Sequence, residues 1–486
     1  MAESRIFKIL DQLSCTQQVI LVCAISLLLR IFFSFFSHGF MYIDEVHFYL
    51  DPAAWNQYKI GVLSESTKSF YAQLPGRSPI SIFIFSAMLS FCEFLNISDP
   101  LSQVIMIRIF LSLWSLVGIV SIYYLTLSLY PGKKNIAFWA ALLSAVWGYH
   151  IYSNLRTLGE CVSIPAILCS FWFFHRSLSK PSRIRLIFSG MLMGLAISLK
   201  VQSGLFLMGI GIYCLFHRNI FHLIYFSIGF LVLFCFQGTV DLFTHGAFLK
   251  SFFDYIHLRM SSSEFNVPKA YGKFFWFLFV IHFPLLFPFI IYFILKDIRR
   301  NQLLVFSVFV YLGVHFYHPS TDLRLYLVVV PIFLTLFMAS FLNWHPRKKY
   351  FKKIIYGLIF VAVVSQFMAV FFPEPFRPKW RRDANLCFAQ AYVGRQLDST
   401  GLLMMHVRWA QLYFYVRKKI PVTKVNHQVL SQNIQNYDTY NYFILRKKDK
   451  KGRETNLPLD PKLIQDFNLN DAPIQIFGDH SIYKRK

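Results

Sequence analysis

The chain has 486 residues, of which 56% are hydrophobic, 15% are charged and 55 are phenylalanine. Soluble domains hold about 45 to 50% apolar and about 25% charged residues, so this composition excludes a soluble globular enzyme, and the low charge excludes intrinsic disorder. The formal net charge of +25 would suggest nucleic acid if it lay on one soluble face, but much of it sits in short loops between apolar runs, so membrane lipids are the expected contact and no nucleic-acid partner is implied.

The first apolar run, Val19 to Phe36, is about long enough to cross roughly 30 Å of hydrocarbon. No small-residue cleavage site follows it, so it reads as an uncleaved transmembrane helix. Arg30 inside it is costly in lipid unless it faces the protein or a wet cavity. Further spans are predicted near 102–130, 136–150, 161–176, 187–200, 204–216, 220–240, 274–295, 303–317, 324–343 and 354–373, which with 17–38 makes about eleven. Their uneven spacing shows no solenoid repeat. Of the eight cysteines only Cys387 lies outside the apolar stretches, which implies no disulfide framework in the polar tail.

The run from Ile80 to Leu95 decides the topology. If it lies at the outer interface as a helix or hairpin without crossing, the basic loops 131–135, 175–185, 217–219, 296–300 and 345–353 all share the side of the N-terminus, as the positive-inside rule requires. The acidic residues Asp44, Glu45, Asp51, Glu65, Glu160, Asp241, Asp254, Glu264 and Asp322 then gather on the opposite, extracytoplasmic face. The loops 39–101 and 241–273 are the membrane-domain connections large enough to build a site, and a catalytic face is expected there. A transmembrane domain is expected over 1–373. Beyond it, strand-like segments at 402–407, 413–416, 442–445 and 474–477 predict a small extracytoplasmic α/β domain over 374–486.

Loop 39–101 opens with Asp44-Glu45-Val46-His47-Phe48 at the membrane boundary. Such a carboxylate is placed to take the proton of an acceptor hydroxyl; the simpler reading is a helix cap. Lys200, Arg77, Arg156, Arg259 and Arg324 lie at the outer boundary and can supply a cation for a phosphate leaving group, although for Lys200 and Arg324, at helix ends, snorkelling is the simpler reading. Arg156 and Glu160 share a face and pair if one helix carries both. His47 and His318 have no His or Cys partner at metal-ligand spacing, so a hydrogen-bonding role is preferred and no metal is predicted; whether a divalent ion joins the acidic pair stays open. No other cofactor is implied, and no Gly-rich phosphate loop points to a nucleotide-sugar donor.

These motifs together resemble the GT-C superfamily of polytopic glycosyltransferases. Asp44 to Phe48 resembles the first-loop motif of protein O-mannosyltransferases, and Arg77-Ser78-Pro79 an Arg-Ser element of the Alg-type and GPI-anchor mannosyltransferases. The segment 153–160 is similar to their Arg-Thr-Leu-Ser-Asn-x-x-Glu element, reaching Glu160 two residues early. His318-Pro-Ser-Thr-Asp322-Leu-Arg324 is similar to their His-Lys-Glu-x-Arg-Phe element, two residues longer and with Asp322 where Glu is expected. The likeness covers about residues 17–345, and the tail is more similar to the outer domain of bacterial lipid-sugar transferases.

The resemblance implies an all-α polytopic bundle of GT-C type with interfacial helices. It implies an inverting transferase, first a mannosyltransferase, moving sugar from a polyprenyl (dolichyl) phosphate donor to a lipid-linked glycan or GPI-type acceptor. Asp44 or Glu45 is then the base, with His47, Arg77, Arg156, Glu160, Lys200, Arg259, His318, Asp322 and Arg324 on substrate. The membrane is that of the ER or the bacterial inner membrane, with the site on the lumenal or periplasmic side. The alternatives are a bacterial enzyme moving another sugar such as aminoarabinose, and a lipid-sugar transporter or flippase, against which the absence of repeated halves counts.

Overall fold

A computed structural model describes residues 10–40, 42–59, 76–261, 287–317, 323–344, 349–371, 383–405, 407, 413–425, 439–446, 468–469, 472–485. The chain divides into two compact units, one of residues 1–36, 74–81 and 108–377, the other of 37–73, 82–107 and 378–486.

The first unit is helical. Helix α1 (Cys15–Phe36) buries Gln18, Ser26, Arg30 and Ser34 on one face while Ile20, Leu28 and Phe35 point outward. A soluble helix would do the reverse; a helix whose outer solvent is hydrocarbon gains by turning its polar groups inward, where they find partners. Arg30 donates to Ser26 Oγ at 2.5 Å and to the Ala145 carbonyl at 3.0 Å, so its charge ties α1 to the next bundle layer. Four of the described helices are long and apolar enough to cross a membrane: α1, Pro100–Leu129, Gly159–Ser179 and Ile220–His245. The chain is a polytopic membrane protein.

Arg183–Leu199 and Ile220–His245 cross where both carry glycine. A Cβ at Gly190 would meet the Phe226 carbonyl oxygen at 1.9 Å, and one at Gly229 the Ile187 carbonyl oxygen at 1.9 Å. Without a hydrophobic drive between helices in lipid, such backbone approach supplies the packing.

Two predicted spans are interrupted. The 136–150 run is a helix over Lys134–Val146 that breaks at Trp147, in extended conformation, before a short helix Gly148–Asn154. The 324–343 run begins as a tight 3₁₀ stretch, Leu323–Val328, and becomes α-helical only from Val330 to Trp344. Both breaks place backbone near charged residues, Arg156 after the first and Arg324 within the second.

The second unit contains a π-helical turn, Val46–Leu50, running straight into helix α2 (Asp51–Tyr58), and most of helix α3 (Pro79–Phe94). Its sheet has the order β2-β1-β3-β5-β4, with β1 (Leu402–Met405), β2 (Val422–Val425), β3 (Tyr442–Arg446), β4 (Gln475–Phe477) and β5 (His480–Lys484). β1 is parallel to β2 and β3, while β3–β5 and β4–β5 are antiparallel. All four side chains of β1 are buried, as expected for a central parallel strand covered on both faces. Helix Ala384–Arg395 packs on the β4–β5 side. The expected strand at 413–416 is instead a single helical turn, Tyr413–Val416, inside the β1-to-β2 crossover; four aromatic and β-branched residues read as a strand when isolated, but parallel neighbours need a crossover between them.

Candidate functional site

In the first unit, Glu160 opens helix Gly159–Ser179 and is buried. Lys200, the residue after helix Arg183–Leu199, reaches it with a 2.8 Å ion pair, and Arg324 Nε lies 3.5 Å from the same oxygen. Arg77 is near enough to Lys200 to act on it by charge. Two cations thus attend one carboxylate, with Arg77 close to the first of them. Lys200 does not snorkel: its side chain is 5% exposed and turned inward.

Arg156 and Glu160 are not on one helix. The chain leaves helical conformation between Asn154 and Gly159, so the shared face expected from their spacing does not form. Arg156 is buried with its guanidinium 4.3 Å from the centroid of the Tyr152 ring, a cation–π contact.

The segment bearing Arg77 is fixed by Gly76 and Ser78. Gly76 adopts φ +74°, and a Cβ there would lie 2.8 Å from Tyr255 Cα, so only glycine lets the chain press against helix Lys250–Ser261. Ser78 Oγ donates to Gln237 at 2.8 Å; Gln237 donates to Ser251 at 2.9 Å, and Ser251 donates through both N–H and hydroxyl to Asp241. Asp241, expected among the acidic residues of the outer face, is a buried member of this network, with His245 3.6 Å away.

Beside the charges lies a mostly apolar cavity of about 390 Å³. Val201 and Leu325, the neighbours of Lys200 and Arg324, line it together with Met208, Phe230, Phe234 and Tyr255. The Lys200 ammonium stands 5.9 Å from the Tyr255 ring centroid. An apolar hollow next to clustered cations is the shape complementary to a lipid phosphate.

In the second unit, Asp44 and Glu45 begin the helical stretch that becomes the π-turn. Successive helical residues point about 100° apart, and the two carboxylates differ accordingly. Glu45 is buried and accepts from the Tyr42 N–H at 3.4 Å, a capping role; Asp44 is only half-buried. His47 is exposed, 3.9 Å from Asp51. The groups packed against the covered part of its ring push the His47 pKa down, and the charge of Asp44 partly restores it. π-turns cost stability and are frequent at functional sites.

His318 and Asp322 lie outside the described residues, as do the side chain of Arg259 and much of loop 241–273. Among the described residues no three His, Cys, Asp or Glu side chains gather as a metal site. Tyr255, the Gln237 network and the cavity carried no sequence signal: one tyrosine among 26 in an apolar chain is indistinguishable from packing.

Residues 95–239 match the family model described as dolichyl-phosphate-mannose-protein mannosyltransferase. No curated protein sequence matches. Among solved structures, the chain is similar to ArnT from Cupriavidus metallidurans bound to undecaprenyl phosphate, at 12% identity and TM-score 0.60, over 97% of this chain and 98% of that one. The apo form of the same protein matches at 11% identity and TM-score 0.60, over 96% and 98%. A weaker likeness, TM-score 0.48 at 10% identity over 89% of this chain and 69% of that one, is to the Archaeoglobus fulgidus oligosaccharyltransferase tethered with an acceptor peptide. With helices and terminal sheet both inside a match that spans nearly the full length of each chain, this protein has the fold of that ArnT structure.

Proposed function

We propose that the protein is an integral-membrane glycosyltransferase that takes sugar from a polyprenyl phosphate donor, with its site on the extracytoplasmic side. The observation that carries the reading is the Glu160–Lys200–Arg324 cluster, with Arg77, beside an apolar cavity. In this reading the cavity takes the proximal isoprenes and the cations take the phosphate. The ArnT structure of the same fold was obtained with undecaprenyl phosphate bound.

The reaction is a single displacement. An acceptor hydroxyl attacks the anomeric carbon, the bond from that carbon to the phosphate oxygen breaks, and the configuration inverts. Asp44 receives the hydroxyl proton; it is the more accessible of the two carboxylates, while Glu45 is engaged with the Tyr42 N–H. Arg324 and Lys200, with Arg77, stabilise the phosphate as its charge grows on leaving. Glu160 keeps Lys200 and Arg324 oriented in the buried setting. Arg156, His47, Arg259, His318 and Asp322 are proposed on the substrate side.

Mannose is the first proposed sugar, supported by the family model matching residues 95–239, with a lipid-linked glycan or GPI-type lipid as acceptor. A second reading, transfer of aminoarabinose to a lipid, is favoured by the full-length likeness to ArnT, an aminoarabinose transferase. Purified protein given radiolabelled polyprenyl-phosphate mannose or polyprenyl-phosphate aminoarabinose, with candidate lipid acceptors, separates the two. Release of free polyprenyl phosphate with label in the acceptor is expected. Movement of intact lipid sugar across vesicles without bond cleavage would replace both readings with a flippase.

A further inference from the structure

The stretch 44–58 runs without a break from the Asp44-Glu45 pair through the π-turn into α2. Along a helix, seven residues separate Asp44 from Asp51 by roughly 10 Å. Whatever fixes α2 therefore fixes the direction in which Asp44 points.

Both ends of α2 are held by the one helical turn of the β1-to-β2 crossover. At its start, the Asp51 carboxylate accepts the Phe414 backbone N–H at 2.8 Å. At its end, the Arg417 guanidinium lies 3.8 Å from the centroid of the Tyr58 ring. Tyr58 is the last residue of α2, and Arg417 directly follows the turn Tyr413–Val416. Arg417 has φ +56°, a left-handed conformation that glycine usually supplies after a helix. An arginine there tolerates backbone strain, and the Tyr58 stack is the contact that strain secures.

Polar bonds to α3 hold the helix along its length: Asn56 donates to Ser86 at 3.1 Å, Gln57 donates to Glu93 at 2.8 Å, and Ser90 donates to Gln57 at 2.8 Å. Pro52, Ala53 and Ala54 are buried in between, small enough for close approach. Gln103 adds a 3.3 Å bond to the Tyr58 hydroxyl.

We infer that Asp51 and Arg417 are positioning residues: through Phe414 and Tyr58 they clamp α2 to the C-terminal α/β region, and the clamp, by way of the π-turn, sets the direction of Asp44. The inference rests on the reading of Asp44 as base. It gives the C-terminal sheet a part in the reaction without any of its residues touching substrate. The Asp51-to-Phe414 bond needs an acceptor oxygen and not a charge, so asparagine can replace aspartate, whereas alanine cannot.

The test compares Asp51→Ala, Asp51→Asn and Arg417→Ala in the full chain, in nanodiscs. Amide hydrogen exchange over 42–58 is read by mass spectrometry, and donor KM and kcat by sugar transfer. Both alanine variants are expected to raise exchange in this stretch by about tenfold, the scale of one lost hydrogen bond or cation–π contact. They are expected to lower kcat by about tenfold with KM for the donor lipid unchanged, while Asp51→Asn stays near the wild type in both readouts. Unchanged exchange in both alanine variants overturns the clamp, and raised exchange with unchanged kcat overturns its positioning role. Should Asp51→Ala not fold, Arg417→Ala at the other end of α2 decides alone. Undiminished turnover in both Asp44→Asn and Glu45→Gln would instead remove the reading of the base, and the exchange comparison would still report whether the clamp exists.

Discussion

Glu160 and Lys200 form a 2.8 Å ion pair with 1% and 5% of their side chains exposed. Breaking such a pair from one side leaves an uncompensated buried charge, at a cost of about 3 to 5 kcal/mol. Glu160→Gln strands Lys200 beside Arg324 and Arg77; Lys200→Met leaves Glu160 with Arg324. The first should therefore lower the midpoint of thermal unfolding more than the second. Added polyprenyl phosphate should recover part of the loss in Glu160→Gln, because a bound anion stabilises the folded state by mass action. Equal midpoints for the two variants, or no response to the lipid, would count against the cluster as a phosphate site.

Arg324 is proposed to hold the lipid phosphate. A hydrogen bond to a charged group contributes about 1.5 to 3 kcal/mol, or roughly 10- to 100-fold in affinity. Arg324→Ala should weaken polyprenyl phosphate binding by that factor. Arg324→Lys should fall between, since an ammonium keeps the charge but not the planar fork. Titration of the lipid against intrinsic fluorescence in detergent measures this, and an unchanged dissociation constant for Arg324→Ala would rule the assignment out.

Gly76 sits at φ +74° against Tyr255 Cα. A side chain pays about 1 to 2 kcal/mol for the left-handed conformation alone, and the 2.8 Å approach adds to it. Gly76→Ala should lower stability by at least that amount and weaken lipid phosphate binding by displacing Arg77. Normal binding in this variant would separate Arg77 from the site.

Two carboxylates of the second unit should respond to pH in opposite senses. Burial alone would raise the Asp479 pKa, but contacts with His480 at 2.7 Å and Arg446 at 2.7 Å outweigh it and hold the pKa below the usual carboxylate range. Its contribution is full above the unfolded value of about 3.9 and is lost as pH falls through the folded value. The wild type and Asp479→Asn should thus differ in unfolding midpoint at neutral pH and converge under strong acid.

For Asp51, burial raises the pKa well above normal and the Phe414 N–H only partly opposes it. Its contribution is full below the unfolded value and is lost as pH rises through the folded one. Asp51→Asn should therefore be at least as stable as the wild type at high pH, measured by the same unfolding scans. A clear loss there would contradict the burial argument.

Sequence reading located the bundle, because long apolar stretches with basic loops have few other physical meanings. The sheet was legible where alternation was clear, at β1 and β3. Tyr413–Val416 misled, since a single turn has too few residues for its period to register. Glu160, Lys200, Arg324 and Arg77 are all legible as charges of the outer boundary. Their grouping was not legible, because it depends on helix crossings that glycines such as Gly190 and Gly229 set at a distance in sequence. The shared helical face that the Arg156–Glu160 spacing offers does not form, because the chain leaves helical conformation between them, a break that leaves no mark in composition.

The bond between Asp51 and Phe414 spans 363 residues. At synthesis rates of about 5 to 20 residues per second, the helix beginning at Asp51 waits roughly 20 to 70 s for its partner to be made. During that interval the helix exists while its final neighbour has yet to be synthesised. Competence for transfer should therefore arise only after the last portion of the polypeptide has been made, so a nascent chain stalled before Phe414 would be inert.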